Sequence, residues 1–152
     1  MPNKEKQDQL FIDIAYRVAQ MSHDSDTKVG AIIVKDGNIL SMGYNGMPSG
    51  MENECKNSGG TTKKEVIHAE ANAICKLAKS TQSSEGATLY CTLAPCIECA
   101  KLILQSGITR VVFADDYHED SGKLLIMNQL KHIDRMKYAT ATPLPTGENK
   151  KS

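Results

Sequence analysis

One imidazole, two thiols and the carboxylate of Glu70 lie in two short segments of this 152-residue chain, His68-Ala69-Glu70 and Pro95-Cys96-Ile97-Glu98-Cys99. His68, Cys96 and Cys99 are soft or borderline donors, a set that suits zinc. Three protein ligands on a four-coordinate ion leave one position open, the arrangement of catalytic rather than structural zinc sites. Glu70 does not fit the ligand set. A carboxylate beside an open metal position is what an activated water needs as a proton acceptor and donor. The chemistry within reach is hydrolytic removal of an amino group from a heterocycle. Glu70 would take a proton from water and deliver it to the ring nitrogen beside the amino-bearing carbon. Oxygen would then bond to that carbon while a second proton leaves with ammonia. The plainer readings are a structural zinc or a Cys-x-x-Cys that binds nothing. The joint occurrence of His, Glu, Pro and both Cys at expected strand-to-helix junctions favours the catalytic one.

These residues need particular elements to position them. Pro95 before Cys96 puts both cysteines in the first turn of a helix, and positions i and i+3 share a face. The positive helix end is expected to lower their thiol pKa and favour thiolates. His68 also precedes a helix, so two helix N-termini could converge on one ion, in a cleft at the carboxyl ends of strands.

Apolar spacing predicts a first helix over residues 7–21, from Leu10, Phe11, Ile14, Ala15, Val18 and Met21. Strands are expected over 29–34 and 39–44, joined at Asp36-Gly37, then a polar loop to Lys64. Helices follow over 68–79, 96–106 and 122–132, and strands over 87–92, 108–114 and 136–141. Gly107 stands where a helix C′ glycine belongs. The order α-β-β-α-β-α-β-α-β implies an α/β fold: a mixed five-stranded sheet with helices on both faces and its last two strands parallel.

Lys+Arg and Asp+Glu balance at 18 each, Trp is absent and Phe occurs twice, so the basic, aromatic footprint of a nucleic-acid binder is missing. Small substrates are favoured, with neither a nucleic acid nor a membrane as partner. The polar first residues do not read as a signal peptide, and five cysteines, two of them in a Cys-x-x-Cys, read as metal chemistry in a reducing, cytoplasmic setting. Cys75 and Cys91 read as buried free thiols, and Cys55, in a polar loop, lacks companions for a second metal. Residues 1–142 are expected to form a single domain and 143–152 a flexible tail.

The His-x-Glu and Pro-Cys-x-x-Cys pair resembles the signature of the zinc-dependent cytidine deaminase superfamily. Further segments narrow the resemblance: Ser22 to Ala31, Gly43-Tyr44-Asn45-Gly46-Met47-Pro48-Ser49-Gly50, His68 to Ile74, Pro95 to Lys101, and Asp116-Tyr117-His118. Together they are similar to the deoxycytidylate (dCMP) deaminase family, from about Leu10 to about Tyr138. The resemblance implies a cytidine-deaminase-like three-layer α/β/α sandwich that converts dCMP to dUMP and ammonia. It also implies one catalytic Zn2+ per subunit and a homohexamer activated by dCTP and inhibited by dTTP, with Mg2+ accompanying the triphosphates. Some relatives carry a second, structural zinc, for which this chain offers only His23 and Cys55.

Carried over residue by residue, the resemblance makes His68, Cys96 and Cys99 the zinc ligands and Glu70 the catalytic residue. The substrate-binding set is Ser22, Asp24, Thr27, Lys28, Asn45, Ala69 and Tyr117. Asn45 could bond sugar or base, or be a turn residue. Ser22, Thr27 and Lys28 could hold the 5′-phosphate, though Lys28 alone reads as a solvated lysine. Asp24 could orient its loop or cap local backbone. Tyr117 could close over base or phosphate. Gly43, Tyr44 and Gly46 resemble the allosteric nucleotide site, where glycines let backbone N–H groups approach a triphosphate. Lys76 and Lys79 could add charge there. The competing readings are a dual dCMP/dCTP deaminase, a deaminase of another nucleoside or base, and a silent nucleotide-binding module.

Overall fold

Asn3 opens the first helix, α1 (Lys4–Ala19), by accepting the Lys6 N–H on its side-chain oxygen at 3.1 Å, an N-cap. The helix therefore starts before Gln7, because a capped polar first turn carries no apolar periodicity. The structure, a computed structural model, describes residues 3–130 and 132–138. After α1 come β1 (Gly30–Lys35), β2 (Asn38–Tyr44), α2 (Ala69–Ala78), β3 (Thr88–Leu93), α3 (Ile97–Gln105), β4 (Arg110–Asp115), α4 (Ser121–Gln129) and β5 (Ile133–Arg135).

Asp36 and Gly37 both take positive φ, 51° and 78°, the backbone of a two-residue hairpin turn. They join β1 to β2, with Lys35 opposite Asn38. The sheet order is β2-β1-β3-β4-β5. β1 runs antiparallel to β2 and β3, whereas β3, β4 and β5 are mutually parallel along their pairings. The expected parallel pair is thus present, and a second parallel pair lies beside it.

Alternation along the strands sorts the core into two layers. Ala31, Ile33, Leu89, Cys91, Val111 and Phe113 pack with Ala69, Ala73 and Leu77 of α2, Ala100 and Ile103 of α3, and Ile126 of α4. Ile32, Val34, Tyr90, Val112 and Ala114 face the other way, onto Phe11 and Ile12 of α1. Four helices therefore cover the sheet, three on one face and α1 on the other. This is the expected three-layer α/β/α sandwich.

Two expectations need correction. The last strand is Ile133–Arg135, not 136–141. Met136 still donates its N–H to the Phe113 carbonyl at 2.8 Å, but Lys137 and Tyr138 are outside the strand. An edge strand with one half-buried and two exposed residues has no alternation to read, so its register is set by β4. Residues 139–141 and the expected flexible tail over 143–152 lie outside the described residues. Cys75 is exposed on α2, whereas Cys91 is buried; position 75 points away from the stripe formed by Ala69, Ala73 and Leu77. Gly107, at φ 86°, does take the left-handed conformation expected past a helix end. No helix among the described residues is long and apolar enough to cross a membrane.

Candidate active site

His68 is the N-cap of α2 and makes no side-chain cap bond; its ring turns to the cysteines instead. Cys96 is the N-cap of α3, and Cys99 lies in the first turn of that helix. Nδ1 of His68 stands 3.4 Å from Sγ of Cys96 and 3.4 Å from Sγ of Cys99. The three donor atoms lie within 4.8 Å of one another. A tetrahedral zinc with ordinary Zn–N and Zn–S bonds puts nitrogen and sulfur about 3.6 Å apart, so the gap between the donors is the size of the ion. The donor set fits zinc, through Nδ1 of the imidazole.

Glu70 is buried in the first turn of α2 and stands outside that triangle of donors. Burial pushes its carboxyl above the usual carboxylate range, against its own backbone N–H, His68 and Cys99, which act the other way. The expected lowering of the cysteine pKa does not hold for Cys99. Burial, the Glu70 charge and Cys96 push that thiol up, and the backbone N–H of Ala71 offsets them only in part. A divalent cation reverses this balance, since a coordinating thiol is deprotonated outright.

His68, Glu70 and Cys96 form one wall of a cavity of about 380 Å³, within the range of small-ligand pockets, about 300–1,000 Å³. Leu93 ends β3 and Ala94 follows it, Tyr117 and His118 follow β4, Asn45 follows β2, and Thr27 and Val29 lead into β1. The cavity thus sits at the carboxyl ends of β2, β3 and β4, as the helix N-termini require.

The zinc-binding region of cytidine and deoxycytidylate deaminases matches residues 5–115. The chain belongs to the cytidine and deoxycytidylate deaminase family. Deoxycytidylate deaminase of Pongo abelii is 41% identical over 121 residues, covering 74% of this chain and 67% of that protein. The deoxycytidylate deaminase of Enterobacteria phage T4 is 37% identical over 150 residues, covering 72% of this chain and 78% of its own. Among solved structures, the dCMP deaminase of cyanophage S-TIM5 in complex with dCMP and dUMP superposes with a TM-score of 0.85 at 36% identity, covering 90% of this chain and all of that one.

In this deaminase the expected substrate residues divide into two groups. Asp24, Thr27, Asn45, Ala69 and Tyr117 reach the cavity; Ser22 and Lys28 do not. Ser22 Oγ donates to the Asn45 carbonyl at 2.8 Å, and Lys28 Nζ donates to the Ser22 carbonyl. Lys28 lines a separate, smaller depression with Tyr16, Asp26 and Asp115. Asn45 clamps the approach to β1: Oδ1 accepts the Val29 N–H at 2.9 Å and Nδ2 donates to the Thr27 carbonyl at 2.8 Å. That leaves one amide hydrogen for a ligand. Asp24 caps local backbone and also reaches a second loop. Its Oδ1 accepts the N–H groups of Asp26 and Thr27 at 2.8 and 2.9 Å, while Oδ2 lies 3.3 Å from Lys56 Nζ. Burial would raise the Asp24 pKa, but the two backbone N–H groups and Lys56 hold it below the usual value.

Lys56, Thr62, Val66, Leu93, Ala94 and His118 also line the cavity, and sequence reasoning missed them. The 51–64 loop folds back on itself through a Lys56–Thr62 bridge and a 2.9 Å bond from Lys63 N–H to the Cys55 carbonyl. Cys55 is buried and caps nothing but its own loop, with Sγ 3.9 Å from the Asn53 carbonyl. A lone cysteine, among the residue types most often buried, in a run of polar residues was the available signal that this loop turns inward.

The glycines expected to approach an effector have other work in this structure. A Cβ on Gly43 would meet the Ala69 carbonyl at 2.4 Å and the Ala73 nitrogen at 2.5 Å, so Gly43 lets α2 seat directly on β2. Gly46 exchanges both backbone bonds with Ile67, at 3.1 and 2.8 Å, which leaves it no free N–H. Lys76 and Lys79 are exposed, and Lys76 Nζ lies 5.1 Å above the Tyr44 ring.

Proposed function

We propose that this deaminase hydrolyses dCMP to dUMP and ammonia. The observation that carries the reading is the zinc-sized triangle of His68 Nδ1, Cys96 Sγ and Cys99 Sγ beside a buried non-ligand carboxylate, in a nucleotide-sized cavity. The relatives named deoxycytidylate deaminase and the dCMP-bound phage structure supply the choice of cytosine nucleotide.

A zinc ion held by His68, Cys96 and Cys99 would supply an acidified water at neutral pH. Glu70 takes a proton from that water and holds it, shielded from bulk solvent, until it passes to N3 of the cytosine ring. With N3 protonated, C4 accepts the water oxygen. Glu70 then receives the second proton of that oxygen and delivers it to the amino group, which departs as ammonia. Water plus dCMP thus balances dUMP plus ammonia. Ala69, Asn45 and Tyr117 hold base and sugar against this centre.

The reading extends to a cytoplasmic homohexamer activated by dCTP and inhibited by dTTP, with Mg2+ on the triphosphates. The sequence resemblance of Gly43 to Gly50 alone supports this extension, since Gly43 is taken up by the packing of α2 and the Gly46 N–H by Ile67. The test is ammonia release by zinc-loaded protein from dCMP, dCTP, deoxycytidine and guanine, with and without effectors. dCMP is expected to be turned over best. No release from any cytosine compound overturns the reading, equal turnover of dCTP replaces it with a dual deaminase, and a dCMP rate unmoved by dTTP removes the regulatory extension.

A further inference from the structure

We infer that Lys56 reads the anionic end of the substrate and sets the preference for a nucleotide over a nucleoside. This rests on the nucleotide reading of the cavity. Lys56 is the one lysine or arginine among the described residues lining that cavity. Its side chain is 15% exposed, so the charge sits in the wall and is not free in solvent.

The ammonium has three donors. Asp24 Oδ2 at 3.3 Å and Thr62 Oγ1 at 2.8 Å take two of them, and the third is left for a ligand. Asp24 is itself fixed by the Asp26 and Thr27 N–H groups, so Lys56 is anchored to a rigid point. The entropy of ordering a lysine side chain is therefore lost on folding, not on binding. Asp24 holds Lys56 and the Thr27 N–H, and Lys56 holds Thr62; His68 instead turns its ring to Cys96 and Cys99. A base turned toward Glu70 leaves its sugar and phosphate to meet this second group. Lys28, the lysine expected at the phosphate, is turned to the Ser22 carbonyl.

Asp24 keeps the empty pocket from carrying a bare positive charge, and the free donor and two threonine hydroxyls remain to meet phosphate oxygens. Lysine serves here as a positioned point charge.

The test uses zinc-loaded full-length protein titrated calorimetrically with dUMP and with deoxyuridine, as wild type, Lys56→Met and Lys56→Arg. Wild type is expected to favour dUMP. Lys56→Met should weaken dUMP about tenfold or more while deoxyuridine moves less than about twofold, with Lys56→Arg between. The KM for dCMP should rise more than kcat falls. Equal weakening of both ligands would make Lys56 a support of the loop and overturn the inference, as would no change in either. A wild type that binds dUMP no better than deoxyuridine and releases no ammonia from dCMP overturns the nucleotide reading itself.

Discussion

At the scale of single residues, Glu70 and the three sulfur and nitrogen donors have separable duties. Glu70→Gln removes the proton carrier and leaves the ligands. Zinc content measured by mass spectrometry should be unchanged while dCMP turnover falls at least about a hundredfold; loss of zinc in that variant would make Glu70 a ligand. The elevated thiol of Cys99 gives a pH dependence with a definite sign. Burial and the Glu70 charge keep that sulfur protonated around neutrality, and a ligand sulfur must be deprotonated. Zinc binding therefore releases a proton, and affinity should rise with pH. Competition with a chromophoric chelator, from neutral to mildly alkaline pH, measures it, and a flat profile would contradict it. Stripping the metal should abolish turnover, and added zinc should restore it.

At the scale of elements, what holds the centre is the close seating of helices. A Cβ on Gly122, in the first turn of α4, would meet the Pro95 carbonyl at 2.3 Å and the Cys96 carbonyl carbon and oxygen at 2.6 Å. All three are backbone atoms, so no side chain can swing aside to make room. Gly122→Ala should push the Cys96 peptide off its place and weaken zinc binding about tenfold or more, the scale of losses around a metal's first ligands. Gly43→Ala strikes α2 in the same way through Ala69 and Ala73. It should lower stability by about 1–3 kcal/mol, read by urea unfolding. If Gly43 serves only an exposed effector site, its stability will match wild type. α2 and α3 bring His68 and Cys96 together across 28 positions of sequence, so the register of each helix on the sheet fixes the donor triangle.

At the scale of the whole molecule, one polar network ties the face opposite the cavity helices. Asp8 of α1 accepts Arg110 Nη1 and Nη2 at 2.9 and 2.7 Å and the Tyr90 hydroxyl at 2.6 Å. Arg110 also donates from Nε to Asp134 at 3.0 Å. The cluster joins α1, β3, β4 and β5 through side chains that are mostly buried. Burial alone would raise the Asp8 pKa, but Arg110 and Tyr90 hold it below 3.8. A depressed carboxylate contributes stability that is present above its unfolded pKa and is lost as pH falls through the folded one. Asp8→Asn should cost about 3 kcal/mol at neutral pH, since it leaves a buried guanidinium without its main partner. In urea unfolding the gap to wild type should close below pH 3.8. At neutral pH the zinc content of the folded variant should match wild type, because the network lies on the α1 side of the sheet.

The sequence by itself determined what is local in the chain. Glu70 stands two positions beyond His68 and Cys99 three beyond Cys96, and a helix start converts such spacings into geometry without help from the rest of the fold. The continuous apolar run from Val29 to Val34 and the Asp36-Gly37 turn fixed the hairpin in the same way. The tertiary structure decided everything that depends on distant residues meeting. It made β3 and β4 parallel, placed α1 alone on one face and found β5 at Ile133 where no pattern marked it. It gave Gly43 to helix packing, turned Lys28 onto a carbonyl and brought Lys56 from a featureless polar loop into the cavity wall. A hydrogen-bond partner many residues away is set by how layers pack, and neither a side chain's type nor its neighbours in the chain carry that information.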